Sequence, residues 1–178
     1  MITGPTGVGK SQLAKLIHRI SEGNNPNFQH VNLAEIPETL VESHIFGHKK
    51  GAFSGATQDF DGYFKRAHGG TLFLDEITSV PVYVQRKLLR FLDTGTFSPL
   101  GSNQVIQSDL RIITATCDDI AKLIEEKKFR ADFYFRIKGI EIVIPPLKDR
   151  REDIPLLIQH FLSQNARKVH IADPVKRA

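Results

Sequence analysis

A phosphate-binding pattern stands at the start of the chain. Residues 4–11 read Gly-Pro-Thr-Gly-Val-Gly-Lys-Ser and fit the pattern G-x-x-x-x-G-K-[ST] in full. The glycines of such a loop let successive backbone N–H groups turn toward phosphate oxygens. Lys10 would reach the β- and γ-phosphates of a nucleotide, and the Ser11 hydroxyl would bind Mg²⁺. The candidate nucleotide-binding residues are therefore Gly4, Pro5, Thr6, Gly7, Val8, Gly9, Lys10 and Ser11.

Two carboxylates follow an apolar run further along the chain. Residues 69–76 read Gly-Gly-Thr-Leu-Phe-Leu-Asp-Glu, and a continuous apolar run is typical of a strand buried on both faces of a parallel sheet. Carboxylates at its end are costly unless a cation or water meets them. Beside a phosphate loop, Asp75 is expected to hold Mg²⁺ through water, and Glu76 to polarise the attacking water as a general base. Alternatively, the two acids simply cap the next helix.

A small, flexible run with an aromatic centre lies between these two patterns. Its residues are Gly51, Ala52, Phe53, Ser54, Gly55 and Ala56. Glycine tolerates positive φ, so the run can form a tight or strained loop. We expect a Phe at such a tip to contact another molecule rather than its own subunit. The alternative is a surface loop whose Phe folds back onto the core, since isolated apolar surface residues are common.

Alternating strands and helices must position these groups. Leu13, Leu16, Ile17 and Ile20 predict a helix directly after the phosphate loop, because they fall on one helical face. Strands are predicted at 28–33, 69–76, 111–116 and 140–144, and helices at 38–46, 62–67, 84–92, 120–128 and 154–162. Residues 23–26 are expected to form a turn, and residues 94–109 a loop. Asp118 is expected to cap the helix predicted at 120–128. This order predicts an α/β fold with a mainly parallel sheet and a nucleotide at the carboxyl ends of its strands.

Composition limits the class of protein. The 178 residues suit one domain with the start of a second, and the net charge of +4 is scattered enough to belong to a solvated surface. One cysteine, Cys117, excludes an internal disulfide and fits a reducing cytoplasm. No apolar run approaches a membrane span and no signal peptide is recognisable, so we expect a cytoplasmic protein.

Two further features concern metal binding and the N-terminus. His44 and His48 stand four residues apart, but the Glu of a zinc protease is absent and Gly47 interrupts the helix, so a metal site there is not expected. A phosphate loop normally follows a full strand, whereas three residues precede this one. The chain is therefore expected to be a fragment with its first strand clipped.

Taken together, the motifs resemble the central AAA+ ATPase domain of bacterial sigma-54-dependent transcriptional activators. The signature loop of that family is GAFTGA, which residues 51–56 match except at Ser54, and residues 46–48, 69–76, 129–136 and 145–155 resemble its other motifs in order and spacing. The resemblance covers nearly all of residues 1 to about 165 and implies a five-stranded sheet. It implies an α/β subdomain over 1–147 and the beginning of a helical lid over 148–178. Residues 5–6 and 97–102 suggest the RNA-repair-operon regulator branch.

The resemblance also implies roles for single residues. Asn32 matches the switch residue that restrains Glu76, and Thr116 matches the first sensor of the γ-phosphate. Arg130 and Arg136 match arginine fingers donated to a neighbouring subunit, which implies a hexameric ring with ATP and Mg²⁺ between subunits. Residues 51–56 would engage the sigma-54 RNA polymerase holoenzyme, supported by a second loop at 97–108. Promoter DNA would be affected indirectly.

Several positions depart from the family pattern. Ser54 replaces a Thr, His44 and Lys49 stand where acids are common, and Cys117 stands where Asn usually follows the sensor. An adenine-holding N-terminal segment, a second sensor arginine and a DNA-binding domain would lie outside residues 1–178. Two alternatives therefore stay open beside a sigma-54-remodelling ATPase: a nucleotide-binding or interaction fragment without turnover, and an AAA+ remodeller of another target.

Overall fold

A computed structural model describes residues 1–22 and 26–164. The chain divides into two compact units, 1–144 and 145–178. In the second unit, short 3₁₀ turns at Leu147–Asp149 and Arg151–Asp153 precede helix α7 (Ile154–Gln164). Most of the turn predicted at 23–26, and the lid predicted over 148–178 beyond residue 164, lie outside the described residues. Within the described ranges, no helix is long and apolar enough to cross a bilayer.

The first unit is built on a parallel sheet. Its strands and those of a small hairpin are β1 (Ile2–Thr3), β2 (Phe28–Asn32), β3 (Thr71–Asp75), β4 (Thr96–Phe97), β5 (Ile106–Gln107), β6 (Arg111–Thr116) and β7 (Ile142–Val143). The five sheet strands run in the order β2-β3-β6-β1-β7, and every neighbouring pair is parallel. The predicted α/β fold with a five-stranded, mainly parallel sheet is confirmed.

Helices cover this sheet and follow its strands. They are α1 (Lys10–Glu22), α2 (Glu38–Phe46), α3 (Tyr63–Arg66), α4 (Val82–Thr94), α5 (Ile120–Glu125) and α6 (Ala131–Lys138). The apolar face predicted for α1 is partly wrong, because Ile20 is 77% exposed and Leu16 is 43% exposed. The residue of α1 that is fully buried is the small Ala14, which joins the core beneath it.

The core lies on both faces of the sheet. Leu72 and Leu74 of β3 belong to the larger apolar cluster, together with α2, α3, α4 and α6, whereas Phe73 points into the smaller cluster with Ile113 and Ala14. Successive side chains of a strand point to opposite faces, and Leu72, Phe73 and Leu74 are each at most 1% exposed. This is the doubly covered strand that the apolar run before Asp75 predicts.

Two local predictions need correction. Residues 94–109 are not merely a loop, because β4 and β5 pair as an antiparallel hairpin with Thr96 opposite Gln107. The hairpin has too few residues for an alternating pattern to reveal it. Helix α5 is capped by Asp119, which accepts a hydrogen bond from the Lys122 N–H. Asp118 instead accepts a hydrogen bond from Thr78.

Candidate nucleotide-binding site and its neighbouring loops

Parallel pairing brings the predicted site residues to one edge of the sheet. In the strand register Asn32 lies opposite Asp75, and Thr3 lies opposite Thr116. Thr3 is the last strand residue before the phosphate loop, and α1 begins at Lys10, where the loop ends. The carboxyl ends of β1, β2, β3 and β6 therefore meet beside the positive end of a helix, where an anion binds favourably.

The phosphate loop is closed around its own lysine. Lys10 is 7% exposed, and its Nζ donates hydrogen bonds to the carbonyls of Gly4 (2.9 Å) and Pro5 (3.3 Å). A Cβ on Gly4 would lie 2.4 Å from the carbonyl oxygen of Ile144, and φ is +149° there, so only glycine fits between the loop and the chain after β7. The ammonium group is thus held inside the cradle that phosphates would fill.

Hard oxygen atoms lie next to this cradle. The Ser11 hydroxyl donates a hydrogen bond to Asp75 Oδ2 at 3.2 Å, and His30 Nε2 lies 3.6 Å from the same oxygen. A hydroxyl and a carboxylate suit Mg²⁺, which takes one or two protein ligands and completes its shell with water and phosphate oxygens. The residues present therefore fit the ion that the motifs predict.

Glu76 has an uncommon backbone conformation. Its φ of 52° and ψ of 55° lie in the left-handed region, which a non-glycine residue rarely adopts and which recurs at functional sites. Glu76 Oε1 lies 4.0 Å from Lys10 Nζ, and Oε2 accepts a hydrogen bond of 3.3 Å from the Cys117 N–H. The carboxylate is thereby held between the phosphate loop and the end of β6.

Asn32 lies on the neighbouring strand end but is bonded elsewhere. Its Oδ1 accepts a hydrogen bond from the Ala34 N–H, and its Nδ2 donates to Glu35 Oε1 at 2.8 Å. Among the hydrogen bonds of the described residues, none joins Asn32 to Glu76. Asn32 thus caps the turn after β2, whereas the Glu76 carboxylate accepts a hydrogen bond from the Cys117 N–H.

Thr116 is buried in a small polar network. Its Oγ1 accepts a hydrogen bond of 3.0 Å from the Asp118 N–H and lies 3.1 Å from Thr78 Oγ1. Thr78 in turn donates to Asp118 Oδ2 at 2.6 Å. Thr78 could not be predicted as part of this network, because its partners follow it by about forty positions and no local pattern signals such a contact.

The two predicted arginine fingers bond to residues near them. Arg130 donates two hydrogen bonds to the Asp132 carboxylate, at 2.9 and 2.6 Å. This contact raises the pKa of Arg130 and lowers the pKa of Asp132. Arg136 forms an ion pair of 3.2 Å with Asp93 and donates to the Leu92 carbonyl at 2.7 Å. Both guanidinium groups are therefore held in place by residues of their own subunit.

A buried glutamine positions Arg130. Gln85 is fully buried in α4, and its Nε2 donates to the carbonyls of Val80 (2.8 Å) and Lys128 (3.2 Å). Its Oε1 accepts a hydrogen bond of 2.9 Å from the Arg130 N–H. Gln85 is not among the residues predicted from the motifs, although a Gln beside Val84 on the apolar face of a helix is the sign that could have revealed it.

The hexapeptide 51–56 forms a closed loop. The Gly51 N–H bonds to the Ala56 carbonyl at 2.8 Å, and the Ala56 N–H bonds to the Phe53 carbonyl at 3.0 Å. The ring of Phe53 lies edge-on to His48 with 5.0 Å between ring centroids, and Phe53 is half-buried. Phe53 thus has an aromatic partner, His48, on its own subunit, whereas its contact with another molecule stays a prediction.

Residues 47–50 and 57–60 flank the hexapeptide, and we call them its stem; polar and aromatic contacts fix this stem. His48 stacks on Phe60 and its Nδ1 lies 2.7 Å from Ser43 Oγ. Lys49 donates to Asp59 at 2.7 Å, and this contact lowers the pKa of Asp59. Burial first, and repulsion from His48 second, lower the pKa of His44. The unusual Lys49 thus has an acidic partner across the stem.

The hairpin β4–β5 packs against the same stem. The Leu100 N–H bonds to the Gly47 carbonyl, and the Lys49 N–H bonds to the Leu100 carbonyl, both at 2.9 Å. Gly101 approaches the hexapeptide so closely that a Cβ on it would lie 2.8 Å from the Cβ of Ala52. The two loops therefore touch at Gly101 and Ala52.

The sheet order, the phosphate loop and the acidic end of β3 together define an AAA+ α/β domain of the phosphate-loop class. The model of the "Sigma-54 interaction domain" family matches residues 1–143. The chain belongs to this family.

Curated relatives support this assignment. The chain is 47% identical over 164 residues to the phenol regulator MopR of Acinetobacter guillouiae, covering 92% of this chain and 29% of MopR. It is 47% identical over 164 residues to the Nif-specific regulatory protein of Herbaspirillum seropedicae, covering 92% of this chain and 30% of that protein. It is 45% identical over 179 residues to the regulatory protein AtoC of Escherichia coli, covering 98% of this chain and 39% of AtoC. The chain thus spans about a third of the length of these relatives.

Solved structures agree. The crystal structure of NtrX from Brucella abortus in complex with ADP superposes with a TM-score of 0.83 at 37% identity, covering 92% of this chain and 35% of NtrX. The complex of the same protein with ATP gives a TM-score of 0.81 at 37% identity, covering 92% of this chain and 37% of that one.

Proposed function

We propose that this domain binds and hydrolyses ATP with Mg²⁺ and uses the reaction to remodel the sigma-54 RNA polymerase holoenzyme. The observation that carries the proposal is the meeting of Lys10, Ser11, Asp75, Glu76 and Thr116 at one sheet edge. Lys10 would neutralise phosphate charge, and Ser11 and Asp75 would hold the ion. Mg²⁺ would offset charge on the phosphate oxygens when bound. The nucleotide-bound NtrX structures support the nucleotide part of the proposal.

Glu76 is suited to the role of general base. Its carboxylate already lies near Lys10, and a carboxylate within reach of the γ-phosphate can orient a water molecule and accept its proton. Glu76 directly follows β3 in a left-handed backbone conformation, and its Oε1 lies 4.0 Å from Lys10 Nζ. Asn32 would act on Glu76 when a nucleotide is bound, since their strand ends are neighbours.

Arg130 and Arg136 would complete the site of a neighbouring subunit in a hexameric ring. Each forms an ion pair on its own subunit, Arg130 with Asp132 and Arg136 with Asp93. An arginine finger stabilises charge in the transition state and contributes about 10³-fold or more in rate. Because the finger comes from another subunit, hydrolysis should depend on assembly.

Residues 51–56 would be the surface that engages sigma-54. The closed hexapeptide and its contact with Gly101 place this loop beside the second loop, at 97–108, so both would move together. We assign residues 148–178 to the beginning of a helical lid and the protein to the cytoplasm, with promoter DNA affected through the polymerase. The RNA-repair-operon branch stays a prediction.

Steady-state ATPase activity across a range of protein concentrations tests the proposal. Specific activity should rise cooperatively with concentration, and Arg130→Ala should abolish that rise while nucleotide binding is retained. Absence of turnover at every concentration would favour the nucleotide-binding fragment instead. Retention of sigma-54 by the protein trapped with a transition-state analogue of ATP tests the partner, because a remodeller of another target would not retain it.

A further inference from the structure

The hydroxyl of Thr116 is engaged by residues to which no role has been assigned. Thr116 is fully buried at the end of β6. Its two hydrogen-bond neighbours are the Asp118 N–H and the Thr78 hydroxyl, at 3.0 and 3.1 Å. Thr78 lies in the 3₁₀ turn Ile77–Ser79, directly after Glu76. The network therefore joins the strand end that carries the acid pair to the strand end that carries the candidate sensor.

Counting the available protons shows which group donates in each hydrogen bond of this network. A hydroxyl has one proton to donate. The proton of Thr78 goes to the Asp118 carboxylate, because at 2.6 Å this is a short, charge-assisted hydrogen bond. The N–H of Asp118 already donates to Thr116 Oγ1. The remaining contact of 3.1 Å is therefore a hydrogen bond from the Thr116 hydroxyl to Thr78.

A phosphate oxygen can only accept hydrogen bonds, so a sensor must donate to it. In this structure the proton that Thr116 would donate is given to Thr78. We propose that Thr78 and Asp118 are positioning residues that hold Thr116 away from the γ-phosphate until ATP competes for its hydroxyl. We call the three residues the Thr116 lock. The proposal rests on the proposed function, in which Thr116 senses the γ-phosphate.

The lock also explains how sensing would reach Glu76. When Thr116 turns to a phosphate, Thr78 loses its donor and the turn 77–79 loses a tie to β6. Glu76 directly precedes that turn, and the Glu76 carbonyl accepts a hydrogen bond of 3.0 Å from the Ser79 N–H. The Cys117 N–H, the neighbour of Thr116, donates to the Glu76 carboxylate. A rotation at Thr116 thus acts on both the backbone and the side chain of the candidate base.

Nucleotide affinity without turnover tests the lock. The affinities of the chain for fluorescent ATPγS and fluorescent ADP are measured with Mg²⁺. The ratio of the ATPγS affinity to the ADP affinity is then compared between variants. Thr78→Val keeps the shape of the side chain but removes the oxygen that accepts the Thr116 proton. The ratio should therefore rise about three- to tenfold in favour of ATPγS, because Thr116 no longer has to give up one neutral hydrogen bond to reach the phosphate. Thr78→Ser should keep the ratio of the unmodified chain.

Two further variants make the outcome decisive. Asp118→Ala should also raise the ratio, because Thr78 can then donate to Thr116 and the Thr116 proton becomes free for the phosphate. Asp118 is exposed, so this variant should fold. In a Thr116→Val background, Thr78→Val should change nothing. An unchanged or lowered ratio in Thr78→Val and Asp118→Ala, while Thr116→Val lowers the ratio, would overturn the lock alone. Undiminished binding of both nucleotides by Lys10→Ala would overturn the proposed function.

Discussion

Adding one methyl group at Gly101 should separate the two loops that touch there. Gly101 has φ of +71°, and its added Cβ would lie 2.8 Å from the Cβ and 3.1 Å from the Cα of Ala52. Gly69 has the same φ of +71°, but a Cβ there would meet nothing within 4 Å. Gly69→Ala is therefore a matched control, since both variants place alanine in a left-handed backbone and only one creates an overlap.

The two variants should differ by the energy of the overlap. A left-handed conformation costs an L-residue about 1–2 kcal/mol, which Gly69→Ala should lose from its free energy of unfolding. Overpacking adds about 1–3 kcal/mol, so Gly101→Ala should lose about 2–5 kcal/mol in total. Denaturant unfolding followed by far-UV circular dichroism measures both values.

The overlap has a second, structural test. Ala52→Gly in the Gly101→Ala background removes the closer of the two contacting atoms and should recover part of the lost stability. The coupling between the two positions is then read from a double-mutant cycle. Equal unfolding free energies for Gly101→Ala and Gly69→Ala would refute the close packing of the two loops, and with it the idea that they move together.

Three further predictions concern Gln85, His48 and Asp132. Gln85→Leu should lower the free energy of unfolding by about 2–4 kcal/mol in denaturant titrations, because it leaves buried partners unbonded, among them the Arg130 N–H. His48→Ala should increase chymotrypsin cleavage after Phe53 about two- to tenfold, because an aromatic pair contributes about 0.5–1.5 kcal/mol and cleavage tracks the open population. Arg130 lowers the pKa of Asp132, so this pair should stabilise the fold fully above about pH 4 and lose its effect as pH falls through the lowered pKa. Asp132→Asn should therefore be less stable than the unmodified chain at pH 7, and in acid titrations the difference should vanish once the pH lies below the lowered pKa of Asp132.

Neighbouring residues provide controls for these changes. Arg86 follows Gln85 on α4 but is exposed, so Arg86→Leu should stay within about 0.5 kcal/mol of the unmodified chain. The His44 ring lies tilted against the Phe60 ring and not against Phe53, so His44→Ala should leave cleavage after Phe53 unchanged. Equal cleavage of the two histidine variants would contradict the packing of Phe53 on His48. A stability difference at Asp132 that persists at low pH would contradict an ionic origin.

Much of the fold could be predicted from periodicity and motifs. The strand before Asp75 is a continuous apolar run, and α4 ends at Gly95 as its pattern indicates, because these signals lie within a few residues of each other. The exposure of Ile20 could not be predicted, since periodicity gives the direction of a side chain but not what covers it. The hairpin at 96–107 is too short to show a strand period.

The candidate site was predictable only where one motif holds its residues. Lys10 and Ser11 belong to one loop, and parallel pairing brings Asp75 beside them. The partners of Arg130 and Thr116 depend on which of several nearby acids each one meets. Asp118 and Asp119 illustrate the difficulty, because either could cap α5 and three-dimensional packing decides that Asp119 does. Contacts between residues about forty positions apart leave no trace in local sequence.

Helix α4 contacts both predicted arginine fingers and the helix that precedes the hexapeptide. Gln85 near its start bonds to the Arg130 N–H, and Asp93 near its end pairs with Arg136. Between them, Lys87 pairs with Glu42 of α2, the helix that leads into the hexapeptide stem. Under the roles proposed for Arg130 and Arg136, a shift of either arginine at a subunit boundary would therefore act on one helix, α4. Through the pair of Lys87 and Glu42 the same shift would act on the helix that leads into the hexapeptide.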